Sequence, residues 1–210
     1  MAYPVAVNVE PALTNRNRLT TAFRLILAIP HIILVGGVGL GIASSRSGNR
    51  ATSGGGEGGL LGAVAVFLAI VSWFTILFAG THIAGIRQFT AFYMRWRVRA
   101  VAYLMLLEDA YPPFGDAPYP SSIEIVDPAG PRDRLTVAVR LLMVIPHAFV
   151  LFFVLLAWCV TTIVAWFAIL FTGAYPQGMY EFGVGALRLV IRVQAYVLLL
   201  VDEYPPFSLT

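Results

Sequence analysis

The sequence predicts an all-α integral membrane protein with four transmembrane helices in two tandem hairpins, two interfacial amphipathic helices and short cytoplasmic β-strands. The first observation behind this prediction is composition: 59% of the 210 residues are hydrophobic and 12% are charged, whereas soluble domains average about 45–50% and about 25%. The second is the presence of apolar runs of about twenty residues, enough to cross roughly 30 Å of hydrocarbon. The third is an internal repeat.

The repeat covers most of the chain in two blocks. Residues 3–31 align with residues 119–147 at an offset of 116, with 12 identities in 29 positions. Residues 73–114 align with residues 166–207 at an offset of 93, with 19 identities in 42 positions. Because the two offsets differ by 23 residues, the first copy carries an insertion between its two blocks.

The alignment predicts two domains, a first repeat at residues 1–115 and a second at residues 116–210. Each contains a short strand, a transmembrane hairpin, an interfacial helix and a Tyr-Pro-Pro-Phe tail. The Gly/Ser-rich segment Ser44–Gly59 is the candidate insertion and predicts a loop, so the second copy becomes a tight hairpin from Leu135 to Gly173. Since each copy has an even number of spans, we expect a pseudo-twofold axis along the membrane normal.

Short strands are expected at the start of both repeats, over residues 3–9 and 119–126. Both stretches are rich in β-branched residues and have a proline near their first residue. A two-stranded ribbon is marginally stable by itself. The two strands are therefore expected either to pair with each other or to join the sheet edge of a partner protein.

The stretch from His82 to Leu107 predicts an amphipathic helix at the cytoplasmic interface, and its counterpart in the second repeat predicts another. Arginines interrupt this stretch at positions 87, 95, 97 and 99, and each would cost about 2.5–3.5 kcal/mol at the centre of a membrane span. A helix lying in the membrane surface leaves these charges among the headgroups. Pro112 and Pro113 end the helical pattern.

The charges predict orientation and exclude one class of partner. All 14 basic residues are arginines, and most flank apolar runs at ends that fall on one side, so the positive-inside rule puts both termini in the cytoplasm. Nucleic-acid binding needs a basic face with stacking aromatic residues on a soluble fold, so no nucleic-acid partner is expected. Cys159 is the only cysteine and is expected to be a small apolar packing residue.

A symmetric set of arginines at the inner interface is the candidate lipid- or anion-binding site. Its members are Arg24, Arg95 and Arg99 in the first repeat and Arg140, Arg188 and Arg192 in the second. They anchor the protein to anionic lipid headgroups, or they form a defined site for phosphate or carboxylate. In a third interpretation they lock the in-plane helices to the hairpins by pairing with the acidic residues Glu108, Asp109, Asp202 and Glu203.

His31 and His147 are equivalent in the repeat, and each directly follows a proline. One hypothesis is that they face each other across the pseudo-axis and ligate a haem iron or another metal. The other is that they hydrogen-bond backbone carbonyls left free by the prolines. Apart from this haem hypothesis no cofactor is expected. The sequence contains no HExxH motif and no pair of carboxylates within a span, so no catalytic residues are expected and the protein is not expected to be an enzyme.

The repeated Arg-Leu-Thr, Ile-Pro-His, Trp-Phe and Tyr-Pro-Pro-Phe elements resemble a bacterial integral-membrane family known as domain of unknown function 4389. The resemblance extends over nearly the whole chain, and each half looks like one copy of the domain. Its most recognisable parts are residues 18–20 with 29–31, and residues 108–114; the insertion Ser44–Gly59 departs from the pattern of the second copy. The resemblance implies a multi-pass protein of the bacterial inner membrane and brings no activity, cofactor or catalytic residues.

Three function hypotheses follow. The first is a non-enzymatic accessory or scaffold subunit of a larger bacterial membrane complex, because a catalytic set is absent and the aromatic-rich in-plane helices suit packing beside a partner. The second is a lipid- or small-anion-binding or transport protein that uses the arginine cluster between the repeats. The third is a haem-binding electron-transfer subunit. The expected partners are membrane lipids and either a protein of a membrane complex or further copies of this chain.

Overall fold

A computed structural model of the protein describes residues 3–39, 58–128 and 132–210. Within these residues it contains six helices and one two-stranded sheet. In chain order the elements are β1 (Val5–Val9), α1 (Arg18–Ala22), α2 (Arg24–Val35), α3 (Gly59–Ala79), α4 (Ala84–Leu104), β2 (Ser121–Ile125), α5 (Arg134–Thr172) and α6 (Gln177–Val197). The protein is mostly helical, as the sequence predicts. The expected Gly/Ser-rich loop lies outside the described residues, except for its last two glycines.

Helix α5 is one unbroken helix of 39 residues where the sequence analysis predicts a tight hairpin of two spans. The hairpin prediction is wrong for this copy, and so is the architecture of two tandem hairpins. Between Pro146 and Gly173 the chain has no glycine, proline, serine, asparagine or aspartate, the residues from which turns are built. The helix therefore continues to Gly173, whose φ of 74° ends it. In the described part of the chain, α3 and α5 are the two helices long and apolar enough to cross a membrane.

The first copy contains the same long helix in pieces. Helix α2 ends at Val35, and α3 begins so close to this end that a Cβ on Gly59 would lie 2.5 Å from the backbone nitrogen of Gly36. In the repeat alignment, Val35 corresponds to Leu151 and Gly59 to Phe152, which are neighbours in α5. The insertion of 23 residues is therefore the segment 36–58. It interrupts a helix, and α1, α2 and α3 together are the counterpart of α5.

The two long helices lie antiparallel to each other. Trp73 of α3 donates its Nε1–H to the backbone carbonyl of Val137 near the start of α5, at 2.9 Å. Its repeat equivalent, Trp166 near the end of α5, donates to the carbonyl of Thr21 in α1, also at 2.9 Å. The last part of each long helix thus lies beside the first part of the other, and the pair forms one layer of the fold.

Helices α4 and α6 form a second layer between the long helices and the ribbon. Each has 21 residues, of which more than half are buried. Helix α4 packs on α2, α3 and β2, whereas α6 packs on α5 and β1. Arg97 of α4 donates its Nε–H to Oε1 of Gln194 of α6 at 2.9 Å. The two helices predicted at these positions are confirmed, but the rest of the protein largely covers them.

Strands β1 and β2 pair antiparallel with Val7 opposite Ile123, which confirms that the two strands pair with each other. Because these two residues are equivalent in the repeat, the pseudo-twofold axis relating the repeats passes through this pair. The axis crosses the three layers in turn: the ribbon, the α4–α6 pair and the long helices.

The long helices expose a continuous apolar face. On α5 the buried positions Val137, Arg140, Val144, His147, Leu151 and Trp158 follow one inward stripe. On the opposite face, Leu135 and Phe171 are 72% and 78% exposed, and Leu19 and Phe78 on the counterpart helix are 70% and 75% exposed. Because monomeric soluble proteins rarely expose apolar patches larger than a few hundred Å², this exposed apolar face requires an apolar neighbour.

Candidate functional site

Two buried arginines meet the C-terminal ends of α4 and α6. The last carbonyls of a helix have no partner within the helix, and the arginines supply one. Nη1 of Arg24 donates to the carbonyl of Tyr103 at 2.9 Å, and Nη1 of Arg140 donates to the carbonyl of Tyr196 at 2.5 Å. Both side chains come from the inward stripe of a long helix, so each one ties the first layer to the second.

Each of these arginines also pairs with an aspartate that precedes the Tyr-Pro-Pro-Phe tail. Nη2 of Arg24 lies 2.7 Å from Asp109, and Nη2 of Arg140 lies 2.9 Å from Asp202. A second arginine reaches each aspartate, with Arg16 at 3.2 Å from Asp109 and Arg132 at 2.6 Å from Asp202. We call these two equivalent groups the arginine–aspartate clusters.

A tyrosine ring completes each cluster. Cζ of Arg24 lies 4.3 Å from the centroid of Tyr103, and Cζ of Arg140 lies 4.2 Å from that of Tyr196. A guanidinium stacked on a ring gains a cation–π interaction that strengthens when it is desolvated. Of the three interpretations of the arginines, pairing with the acidic residues before the tails is therefore what the structure shows for Arg24 and Arg140.

The two histidines hold the tails. The rings of His31 and Phe114 stack with centroids 4.6 Å apart, and those of His147 and Phe207 with centroids 3.9 Å apart. Nδ1 of His31 accepts a hydrogen bond from Nε1 of Trp96 at 3.1 Å. Each buried histidine thus packs against the tail of its own repeat. Among the described residues no group of three or more His, Cys, Asp or Glu could hold a metal ion, and haem ligation by the histidine pair stays a prediction.

The other four predicted arginines lie apart from the clusters, near the ribbon and the ends of the tails. Arg95 and Arg99 both pair with Asp116, at 2.9 Å and 3.1 Å. Arg188 donates to the carbonyl of Val7 at 3.2 Å, and Arg192 donates to the carbonyl of Thr210 at 2.7 Å. The structure therefore divides the six arginines into a pair in the clusters and four near the ribbon and the tails, and it does not bring them together into one site. Whether any of them binds lipid or an anion stays a prediction.

Comparison with protein families gives a match in both halves of the chain. The family described as Domain of unknown function (DUF4389) matches residues 58–115 and 134–208. The chain belongs to the DUF4389 family. No curated protein and no solved structure matches it.

The two DUF4389 segments cover corresponding parts of the fold with one difference. The second includes the whole of α5, with Arg140 and His147, and runs through α6 to the tail. The first begins with α3, so Arg24 and His31 precede it on the other side of the insertion. The insertion separates these two residues from the matched segment in sequence, but the fold returns them to the positions equivalent to Arg140 and His147.

Two equivalent grooves open beside the clusters, where the long helices cross. The first has a volume of about 470 Å³ and the second about 350 Å³. The first is lined by residues that include Ala69, Ile70, Trp73, Phe74, Arg140 and Leu141. Their repeat equivalents in the second are Thr162, Ile163, Trp166, Phe167, Arg24 and Leu25. The grooves are not predicted from the sequence, although the repeated Trp-Phe pair marks one wall of each.

One acidic residue breaks the symmetry of the clusters. Burial raises the pKa of the Glu108 carboxyl to about 7, although Ser121 and Arg16 act in the opposite direction. The equivalent position in the second repeat is Val201. A valine at the same place indicates that the second cluster is complete without a carboxyl there.

Proposed function

We propose that this protein is a non-enzymatic scaffold of the bacterial inner membrane and an accessory subunit of a larger membrane complex. Its long helices lie in the plane of the membrane, with the exposed apolar face in the hydrocarbon of one leaflet. The α4–α6 layer and the ribbon face the cytoplasm. The observation that carries this proposal is the continuous apolar face along both long helices.

The length of α5 favours this placement over an upright span. At 1.5 Å per residue, a helix of 39 residues is about 58 Å long, nearly twice the roughly 30 Å of a hydrocarbon core. Its exposed apolar residues extend from Leu135 to Phe171. An upright helix would leave almost half of this apolar length among headgroups and water, whereas an in-plane helix keeps all of it in hydrocarbon.

The position of the polar layer supports the same orientation. The ribbon lies on the pseudo-twofold axis, at the middle of the long helices, and the ion pairs of Asp116 and Asp127 with arginines of α4 lie on its side of the fold. In an upright arrangement these charges would be at mid-membrane. With the axis along the membrane normal they face water, and both repeats have the same orientation.

The contacts of the buried arginines and histidines favour a scaffold over a catalyst. Arg24, Arg140, His31 and His147 all hold helix ends and tails in place. Their contacts to helix ends and tails serve rigidity. Lipid binding is the second candidate function, and the equivalent grooves favour it. The present proposal replaces the multi-pass arrangement expected from the sequence.

Spin labels along α5 test the placement. In a Cys159→Ser background, single cysteines at Leu142, Leu156 and Phe171 carry the label in liposomes, and a cysteine at Glu124 on the ribbon is the aqueous control. An in-plane helix predicts similar immersion depths at all three positions, measured by power saturation with oxygen and a nickel chelate. A deep central label between two shallow ones would overturn the proposal in favour of a span.

Native mass spectrometry of the tagged protein, extracted at native expression level in mild detergent, tests the subunit role. We expect a stoichiometric protein partner in the intact assembly. A bare monomer or a homo-oligomer would contradict the subunit role. It would not bear on the membrane placement, which the spin-label measurements test separately.

A further inference from the structure

The two grooves at the helix crossings have the features of a lipid site. Their volumes of about 470 and 350 Å³ fall in the range of roughly 300–1,000 Å³ that small-molecule sites occupy. The groove occurs in both copies, although Ala69 in one corresponds to Thr162 in the other.

The walls of the grooves are apolar and continuous with the exposed apolar face. Ile70, Phe74 and Leu141 line the first groove and are themselves exposed residues of that face. In the second groove, Leu25, Ile163 and Phe167 do the same. An occupant that enters between these residues contacts apolar side chains, which favours a hydrocarbon chain.

An exposed arginine lies beyond the outer end of each groove. A Cβ on Gly80, the residue after α3, would lie 2.9 Å from Nη2 of Arg134, and one on Gly173 would lie 3.4 Å from Nη2 of Arg18. Both arginines are exposed, and in the described part of the chain neither forms an ion pair or a side-chain hydrogen bond. Gly80 follows the groove residue Phe74 by six positions, about 9 Å along a helix.

We propose that each groove holds one acyl chain of an anionic membrane phospholipid, whose phosphate is bound by Arg134 at the first groove and by Arg18 at the second. The apolar walls select the chain, and the free guanidinium selects the charge, because arginine donates two parallel hydrogen bonds to a phosphate. This inference rests on the membrane placement proposed above. It assigns lipid recognition to Arg18 and Arg134, outside the six arginines that the sequence singled out.

Retained lipid can be counted by native mass spectrometry after reconstitution with phosphatidylglycerol or phosphatidylcholine and extraction in mild detergent. We expect two bound phosphatidylglycerol molecules. Ala69→Phe fills the first groove and should leave one, and adding Thr162→Phe should leave none. Ala63→Phe, on an exposed part of the same helix, is the matched control and should retain two.

Arg134→Gln tests the headgroup contact without altering the core. We expect the preference for phosphatidylglycerol over phosphatidylcholine at one site to fall by about fivefold, the effect of one arginine near an anionic surface. Equal lipid counts in the wild type and the Ala69→Phe variant, or an unchanged preference in Arg134→Gln, would overturn the inference. Flotation with liposomes separates the two proposals: a wild-type protein that does not float contradicts the membrane placement, whereas one that floats with unaltered lipid counts in the variants contradicts the grooves alone.

Discussion

Replacing Arg140 by glutamine tests whether the second arginine–aspartate cluster holds α6 and the tail against α5. This residue is 2% exposed. Its guanidinium donates to the carbonyls of Tyr196 and Val201 and pairs with Asp202 at 2.9 Å. Glutamine removes the charge and most of the donors, so the carbonyl of Val201 loses the donor from Arg140 and that of Tyr196 keeps only the N–H of Leu199, at 3.1 Å.

The expected loss in the free energy of unfolding is about 3 kcal/mol. Breaking a buried ion pair by removing one partner costs about 3–5 kcal/mol. Asp202 keeps Arg132 at 2.6 Å, so its charge is not left alone, and the lower end of that range applies. The same reasoning gives a similar loss for Arg24→Gln in the first cluster, where Asp109 keeps Arg16.

Denaturant titration of the protein in detergent micelles, followed by circular dichroism, measures this loss. Limited proteolysis should also show that the chain after Tyr204 becomes cleavable in Arg140→Gln. The control is Arg95→Gln, because the side chains of Arg95 and Asp116 are 37% and 41% exposed and such pairs contribute about 0.2–1 kcal/mol. Equal losses in the Arg140 and Arg95 variants would refute the structural role of the cluster.

Three further predictions concern charge, the helix crossing and the insertion. The folded-state pKa of Glu108 is about 7 instead of the usual 4.5. The free energy of unfolding should therefore fall by up to about 3 kcal/mol as the pH rises between these values. Unfolding at pH 5 and pH 8 should show this difference, and Glu108→Gln should abolish it. Trp73→Phe removes the hydrogen bond to Val137 and should cost about 1–2 kcal/mol, with an additive loss in the double variant with Trp166→Phe; strong non-additivity would contradict independent crossings. Deleting residues 36–58 should join α2 and α3 into one helix and preserve folding, judged by helicity and gel filtration. Deleting 36–57 is the control, since one extra residue rotates α3 by about 100° and should misplace its inward face.

The sequence predicted the elements whose signals are local. Residues 5–9 and 121–125 alternate as strands do, and the helix across residues 84–104 follows from arginines that cannot lie inside a span. The prediction of a hairpin was wrong because an apolar run of two span lengths has the same composition whether the chain turns in the middle or continues as one helix. The absence of turn-forming residues between Pro146 and Gly173 was the available evidence for a single helix.

The candidate site was harder to predict, because the sequence cannot distinguish one arginine at the edge of an apolar run from another. Arg24 and Arg95 both flank such runs, yet Arg24 is buried on the inward stripe of α2 and Arg95 is partly exposed beside Asp116. The difference arises from which helix ends meet in space. The grooves were missed for the same reason, since each one is formed by residues from both repeats.

The interrupted long helix shows that an unbroken backbone is not needed to hold that helix in position. Side-chain contacts of α2 and α3 with α4 and α5 hold these two helices in the position that the single helix α5 occupies in the second repeat. The junction between Val35 and Gly59 is therefore a site where foreign sequence can be inserted. The junction between Leu151 and Phe152 is the equivalent site in the second repeat. A chain with a domain inserted at both junctions would present two inserted domains related by the pseudo-twofold axis. This fold is therefore a starting point for the paired display of domains at a membrane surface.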